Sequence, residues 1–299
     1  MRCWSQHIRT GTGKQVSAEQ HRRVYETNPS GKSLITVARL EDRWVGAVSA
    51  IPTNLVRNSS VRTSLQIGDF MVDAEQQGQG IGFRMLEDLT RCLAQSDRRV
   101  YTFPNSRSIG LFLKQGYREL KRLPSTLFGL VPGLPLLKRG VHSEDLVLAD
   151  AAAVADKLAR AGTLPTSLLK DGAYLRWRYS EIRAPAQYRF TVIRPRSGQG
   201  EQLLVSTRYR FKGIPFVVLL DVIPRKRHER ISLTHLSGGW SLGFGHRERD
   251  LADFRPRAGI EASDRFDPRP MRLLVPPQDD GSAELFSECY FTTADSMGF

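Results

Sequence analysis

"VDAEQQGQGIGFRML", residues Val72–Leu86, carries glycines at the alternate positions 78, 80 and 82. The residues before it, "RTSLQIGDFMVD" (Arg62–Asp73), are rich in apolar and β-branched types and predict a strand. After it, Ile81, Met85, Leu89 and Leu93 recur at i, i+4 spacing, which predicts an amphipathic helix from Gly80 to about Gln95. The glycines therefore stand at a strand–loop–helix junction. The first turn of a helix leaves backbone N–H groups unpaired and carries a partial positive charge. Phosphate binds there when the backbone can be approached closely, and side chains obstruct that approach. The stretch Gln77–Gly82 therefore suits a pyrophosphate.

Two familiar phosphate loops do not fit. A P-loop needs Lys-Ser or Lys-Thr after its last glycine, and here Phe83-Arg84 follows. A dinucleotide fold needs G-x-G-x-x-G directly after the strand. Here the spacing is G-x-G-x-G, and "DAEQQ" intervenes. Working outward, "SLITVARLEDRWVGAVSAI" (Ser33–Ile51) predicts a hairpin turning at Glu41–Asp42. "RVYTF" (Arg99–Phe103) predicts a strand. A short helix follows, with Asn105 as N-cap and Gly116 just past its end. "YRELKRL" (Tyr117–Leu123) predicts another strand, and Val16–Tyr25 a helix ahead of the hairpin. The order implies a mixed α/β sheet, mostly antiparallel and flanked by helices.

The chain has 299 residues, enough for two ordinary domains. It is 40% hydrophobic and 25% charged, the balance of a soluble globular protein. No window approaches the ~18 consecutive apolar residues of a spanning helix, and the N-terminal residues lack the apolar core of a secretory signal. Cys3, Cys92 and Cys289 are widely separated, which argues against a disulfide framework and for a reducing, cytoplasmic setting. No cysteine or histidine spacing suggests a metal site, and no serine sits in a G-x-S-x-G elbow. The net charge of +13 suits a phosphorylated ligand or another polyanion, or simply a solvated basic surface. The densest basic run, "PRKRHER" (Pro224–Arg230), has no interleaved aromatics, so nucleic acid is not the expected partner. Trp44 and Trp177 are expected in the core.

The second half repeats the first in outline. "YETNP" at Tyr25–Pro29 is echoed by "YSEIRAP" at Tyr179–Pro185, and "GDFMVD" (Gly68–Asp73) by "LLDVIP" (Leu219–Pro224). The offsets, 154 positions for the tyrosines and 152 for Asp69 and Asp221, nearly agree. A duplicated domain follows. In the second copy "RKRHER" stands where the glycine loop would be. "LFGLVPGLPLL" (Leu127–Leu137), broken by prolines and glycines, is expected to connect the units. The expected division is residues 1–125, a linker over 126–142, and a second unit over 143–299.

The spacing Gln77-x-x-Gly80-x-Gly82 at such a junction resembles the coenzyme A loop of the GNAT acyltransferase superfamily. That family's strand ends Val-x-Pro, and here it ends Val72-Asp73-Ala74. Its later Asn-x-x-Ala/Ser…Gly-aromatic block is matched by Asn105-Ser106-Arg107-Ser108…Gly116-Tyr117. The resemblance covers roughly Ser33–Leu123. The "NP" opening and the wording "DFMV…FPNSRS" resemble bacterial tandem proteins with a degenerate second GNAT-like domain, and "YLRWRY" (Tyr174–Tyr179) fits the opening of that second unit.

The resemblance implies that coenzyme A, carrying an acetyl or other acyl group, lays its pyrophosphate on the amides of Gln77, Gly78, Gln79, Gly80, Ile81 and Gly82. Its pantetheine arm would run along the edge of Met71, Val72 and Asp73, and Asn105 would contact that arm or an ordered water. An amine of a small molecule or amino sugar would then attack the thioester. The family's frequent tyrosine proton donor falls at Phe112, which has no proton to give. Its glutamate base has only Gln66 or Asp69 nearby, so Asp69 is the candidate catalytic base, although simple alternation turns it to the face opposite Val72. A bulge could change that. Tyr117 is expected to serve packing. Two other readings stay open. One is a coenzyme A-binding module without catalysis; the other is an aminoacyl-tRNA-dependent transferase of the Fem type. The sequence names neither the acceptor nor the oligomeric state.

Overall fold

The computed structural model describes residues 18–123, 125–130, 141–161, 166–180, 188–195, 201–211, 214–223, 241–246, 259–261, 271–277, 279–287, 289 and 291. The basic run at 225–230 and the start of the expected first helix lie outside these residues. The fold is mixed α/β, with two seven-stranded sheets flanked by helices.

The first sheet opens with α1 (Ala18–Tyr25), β1 (Leu34–Leu40), β2 (Arg43–Arg57) and β3 (Ser60–Val72). β1 and β2 form the expected hairpin, turning at Glu41 and Asp42, with Glu41 at φ +52°. β2 runs on through Pro52, past the end expected at Ile51. β1 pairs no further than Ala50, so on that side Pro52 has no ladder to break, while β3 pairs on through Pro52 and Leu65. The chain reverses at Asn58-Ser59, both at positive φ, a turn that matches the twist of two antiparallel strands. Then come α2 (Ile81–Leu93), β4 (Arg99–Thr102), α3 (Ile109–Lys114) and β5 (Arg118–Leu123). β4 runs parallel to β3. Met85, Leu86, Leu89 and Leu93 of α2 are buried against Val48, Ala50, Leu65 and Ile67, the face predicted by their spacing plus Leu86.

The second sheet holds β6 (Ser125–Leu130), β7 (Val141–Leu146), β9 (Tyr188–Pro195), β10 (Gln202–Phe211), β11 (Ile214–Ile223), β12 (Ser241–His246) and β13 (Gly259–Glu261). Two helices, α4 (Leu148–Arg160) and α5 (Gly172–Tyr179), cover it. Ala151, Ala155, Leu158 and Leu175 pack against Phe190, Leu203 and Val205. The short β8 (Ser167–Leu168) crosses over to pair with Leu55 and Val56 of β2.

Sheet membership crosses the expected division of the chain at both ends. Ser125–Leu130, placed in or beside an irregular linker, is a strand paired with β12; the rest of "LFGLVPGLPLL", from Val131, lies outside the described residues. β14 (Met271–Val275), placed in the second unit, lies between β4 and β5 in the first sheet. The physical reason is burial. β14 reads "MRLLV", and Leu273, Leu274 and Val275 have no exposed surface. Leu274 joins the core under α2, while Leu273 and Val275 join Tyr101, Leu123 and Phe286 on the other face. α6 (Asp280–Ser287) follows, and Asp279 caps it by accepting from Ser282 N at 2.9 Å. Arg99 pairs with Asp279 at 3.0 Å and Arg118 with Asp280 at 2.9 Å, tying this segment to β4 and β5.

Trp44 and Trp177 are half-buried rather than sealed in the core. The Trp177 indole donates to the carbonyl of Arg23 at 2.9 Å, and the Arg39 guanidinium lies over Trp44.

Because β14 fills the space between β4 and β5, Leu274→Ala should cost the whole first unit about 2–5 kcal/mol, the usual cost of a buried leucine cavity. Urea unfolding measures it. A loss below ~1 kcal/mol contradicts the placement.

Candidate active site

The site begins where β3 departs from regular geometry. Ser49 pairs with Gly68 and Ala47 with Met71, so Asp69 and Phe70 together stand opposite Val48. This is a β-bulge, with Asp69 at φ +48°, a left-handed conformation that aspartate tolerates better than most residues. The Ser49 hydroxyl donates to Gly68 O at 3.0 Å, holding the near side of the bulge. Before the bulge, Leu65 and Ile67 face α2; after it, Phe70 and Val72 do, on the other parity. The bulge thus turns Asp69 out of the apolar layer under α2. Asp69 remains on the face opposite Val72, and there it meets Tyr25, whose hydroxyl donates to Asp69 Oδ2 at 2.7 Å. Tyr25 is buried at the end of α1 with Val24 and Ile51. Nothing in sequence spacing linked Tyr25 to Asp69. The only signal was that each opens or sits in a stretch echoed in the second half.

The same place is where β3 and β4 part. Their ladder runs from Ser64–Arg99 to Ile67–Thr102, and the Thr102 hydroxyl donates to Ile67 O at 2.9 Å. β3 continues to Val72, whereas β4 ends at Thr102.

Beyond β3, Asp73 N bonds Val45 O at 2.9 Å, and Ala74–Gln76 forms one 3₁₀ turn. The Gln77 side chain folds back, donating to Val72 O at 3.0 Å. Gly78 and Gly80 sit at φ +82° and +77°, conformations that other residues resist. A Cβ on either would meet nothing within 4 Å, so the space before them is open. Gly82 is different. Its Cβ would approach the Phe70 ring at 3.1 Å, so this glycine lets α2 pack onto the bulged strand rather than clearing the way for a ligand. The first helical bond is Arg84 N to Gly80 O, at 3.1 Å. The amides of Ile81, Gly82 and Phe83 therefore precede the helical ladder at its positive end. Arg43 lies 3.6 Å from Asp73 and 3.7 Å from Glu75, offsetting the loop's negative charge.

The later block is placed more simply. Asn105 Oδ1 accepts from Arg107 N at 2.9 Å and Ser108 N at 3.0 Å, capping a turn just ahead of α3 rather than α3 itself. Phe112 is buried, with its ring 6.2 Å from Phe70 and 5.1 Å edge-on from Tyr117. The Tyr117 hydroxyl pairs with Thr90 at 2.8 Å, inside the core under α2, in the packing role expected. Among the described residues no group of His, Cys, Asp or Glu could hold a metal, and no helix is long and apolar enough to cross a membrane.

Residues 3–117 match the acetyltransferase (GNAT) family. This part of the chain belongs to the GNAT superfamily. Solved GNAT structures share the fold over most of the chain. A GCN5-related N-acetyltransferase from Anabaena variabilis is 11% identical at a TM-score of 0.60, over 87% of this chain and 66% of its own. A probable N-acyltransferase from Enterococcus faecalis is 12% identical at 0.64, over 91% and 69%. Eis1 from Mycobacterium abscessus is 12% identical at 0.64, over 97% and 74%. The chain thus spans only about two thirds to three quarters of those GNAT chains. No curated protein matches its sequence.

Burial pushes the Tyr117 phenol up to about 12, against the opposing hydrogen bond with Thr90. In the unfolded chain a phenol ionises near ~10. Between those values the folded state keeps a proton that the unfolded state has lost, so this contribution to stability is full below ~10 and fades as pH rises toward 12. Tyr117→Phe should show a shallower alkaline loss than the native chain in urea midpoints taken below and inside that window. Equal slopes contradict the burial of this phenol.

Proposed function

We propose that the chain is an acyl-CoA-dependent N-acyltransferase, moving an acetyl or similar acyl group to an amine of a small molecule or amino sugar. One observation carries the reading. Two glycines in left-handed conformation open a helix N-terminus directly after a bulged strand that has parted from its parallel neighbour. The amides from Gln77 to Gly82 would take the pyrophosphate. The edge of Met71, Val72 and Asp73 would take the pantetheine arm as an added strand. Asn105 would serve that arm through its amide N–H₂, since its oxygen holds its own turn. Sheet membership supports a tandem reading, with a first unit completed by β14 and α6 and a second built on β6, β7 and β9–β13.

The chemistry asks little of a proton donor. The acceptor enters as an ammonium, because an alkylamine of lysine type has a pKa of ~10.4. Asp69, held by Tyr25, takes its first proton. The amine attacks the thioester carbon, the C–N bond forms, and the C–S bond breaks. A thiol of pKa ~8.5 makes a tolerable leaving group near neutrality, and the second N–H proton reaches the thiolate through water. Phe112 supplies packing, not a proton, and proximity supplies much of the rate.

The burial of Phe112 favours a second reading, a module that binds coenzyme A without turnover. Thiol release over a panel of amines separates the two. Calorimetry tests the loop: Gly80→Asp adds both a charge and a strained backbone where the pyrophosphate would lie, and should weaken coenzyme A binding at least tenfold in a folded protein. Asp69→Asn should keep that binding and lower turnover roughly 10²-fold, the usual effect of losing a general base. Full affinity in Gly80→Asp contradicts the binding site. Full activity in Asp69→Asn contradicts the base.

A further inference from the structure

α1 stands ahead of the first sheet and α5 covers the second, yet the last turns of the two helices close on each other. The final four carbonyls of a helix lack partners within it. Here each helix supplies donors to the other's. The Trp177 indole of α5 donates to Arg23 O of α1 at 2.9 Å. In return the Arg23 guanidinium donates to Arg176 O at 2.6 Å and to Trp177 O. That cation also stands at the negative end of α5. Burial draws the Arg23 pKa below its ordinary value, as partial loss of water does to a cation. A guanidinium keeps its charge near neutrality even so.

α5 is held on the second sheet at both ends. Its first residue, Gly172, sits where a Cβ would meet Ala152 O of α4 at 2.7 Å, and Gly172 N donates to Asp156 Oδ1 at 2.8 Å. Its last residue, Tyr179, donates to the buried Asp221, which Lys170 Nζ reaches at 2.6 Å. The residues just before Lys170 serve the first sheet instead. Ser167 and Leu168 pair with β2, and Leu169 N donates to Asn54 O at 2.7 Å. The exit of α1 is tied to the same strand, since Asn28 Nδ2 donates to Pro52 O at 2.8 Å. The segment leading through α5 therefore grips the first sheet twice, through β8 on β2 and through Trp177 on α1. The residue that ends α1 is Tyr25. Its carbonyl accepts from Ser33 N at 2.9 Å, and its hydroxyl donates to Asp69 Oδ2 at 2.7 Å, at the bulge. A continuous path thus runs from Asp221 through Tyr179, Trp177, the last turn of α1 and Tyr25 to Asp69.

We propose that Trp177, carried by a helix of the second sheet, positions the Tyr25–Asp69 pair of the first sheet through the last turn of α1. It is a positioning residue and touches neither acyl donor nor acceptor. Its catalytic purpose rests on the acyl-transfer reading, in which Asp69 is the base; the mechanical link between the sheets does not. A base must stand within hydrogen-bond reach of the proton it takes, and small displacements of a reacting group cost large factors in rate. With the indole N–H removed, Arg23 O still accepts from Thr27 Oγ1 at 3.2 Å, so the helix end loosens without coming apart. The second sheet then contributes to turnover without meeting the reacting atoms.

Trp177→Phe in the full chain keeps the ring and removes the N–H. With acetyl-CoA and an amine that the native chain acetylates, kcat should fall about three- to tenfold, the worth of one such hydrogen bond, with KM for acetyl-CoA and coenzyme A affinity by calorimetry unchanged. In a Tyr25→Phe background the same substitution should add little, because residues acting in series are not additive whereas unconnected sites are. Melting curves confirm that each chain folds; should Trp177→Phe not fold, the same cycle with Arg23→Met, which removes the reverse donors, decides. Native kcat in the folded variant, a loss matched in coenzyme A affinity, or a loss that multiplies undiminished in the double variant overturns the proposal. If the native chain releases no thiol with any amine, the acyl-transfer reading falls, and urea midpoints of the same chains test the link alone. Coupled losses of stability then uphold it, and independent losses overturn it.

Discussion

One extra residue in β3 governs the first unit. With Asp69 and Phe70 opposite the single residue Val48, the alternation of the strand reverses part-way along. The reversal has three consequences. It takes a carboxylate out of the apolar layer beneath α2, where it would be costly without a partner. It delivers Phe70 and Val72 to that layer, where Gly82 lets the helix close over them. It also coincides with the end of the β3–β4 ladder, so the strand continues toward the glycine loop with its former neighbour gone. Local twist and disruption of the ladder are what a bulge brings, and here they fall at the acid itself, just ahead of the loop that leads to the helix mouth.

The elements with short-range signals were legible in the sequence. The α2 stripe, the hairpin at Glu41–Asp42 and the helix stop at Gly116 each depend on residues within a few positions of one another. What escaped depends on distant parts of the chain. "MRLLV" is too short to show a period, and nothing in it says that its partners lie far earlier in the chain, in "RELKRL" and "RVYT". Tyr25 and Asp69 are separated by 44 positions, and only the folded bulge brings them together. The three glycines looked alike in sequence but divide by environment: Gly78 and Gly80 face open space, while Gly82 faces a ring.

Two Tyr–Asp pairs, Tyr25–Asp69 and Tyr179–Asp221, sit in different environments. In the second unit the carboxylate is sealed under α5 and neutralised by Lys170, an arrangement that fixes the position of α5 on its sheet. In the first unit the same pair stays half-exposed, beside a loop opened by two glycines. A buried ion pair is weak support for stability by itself, because desolvation offsets much of its attraction.

The mouth of α2 is the proposed seat of the coenzyme A pyrophosphate. Amide hydrogen exchange with and without coenzyme A measures this residue by residue. Slowed exchange is expected at Gln77–Phe83 and along Met71–Asp73, with β9–β11 of the second sheet unchanged. Unaltered exchange across Gln77–Phe83 at saturating coenzyme A, or protection confined to the second sheet, would contradict it.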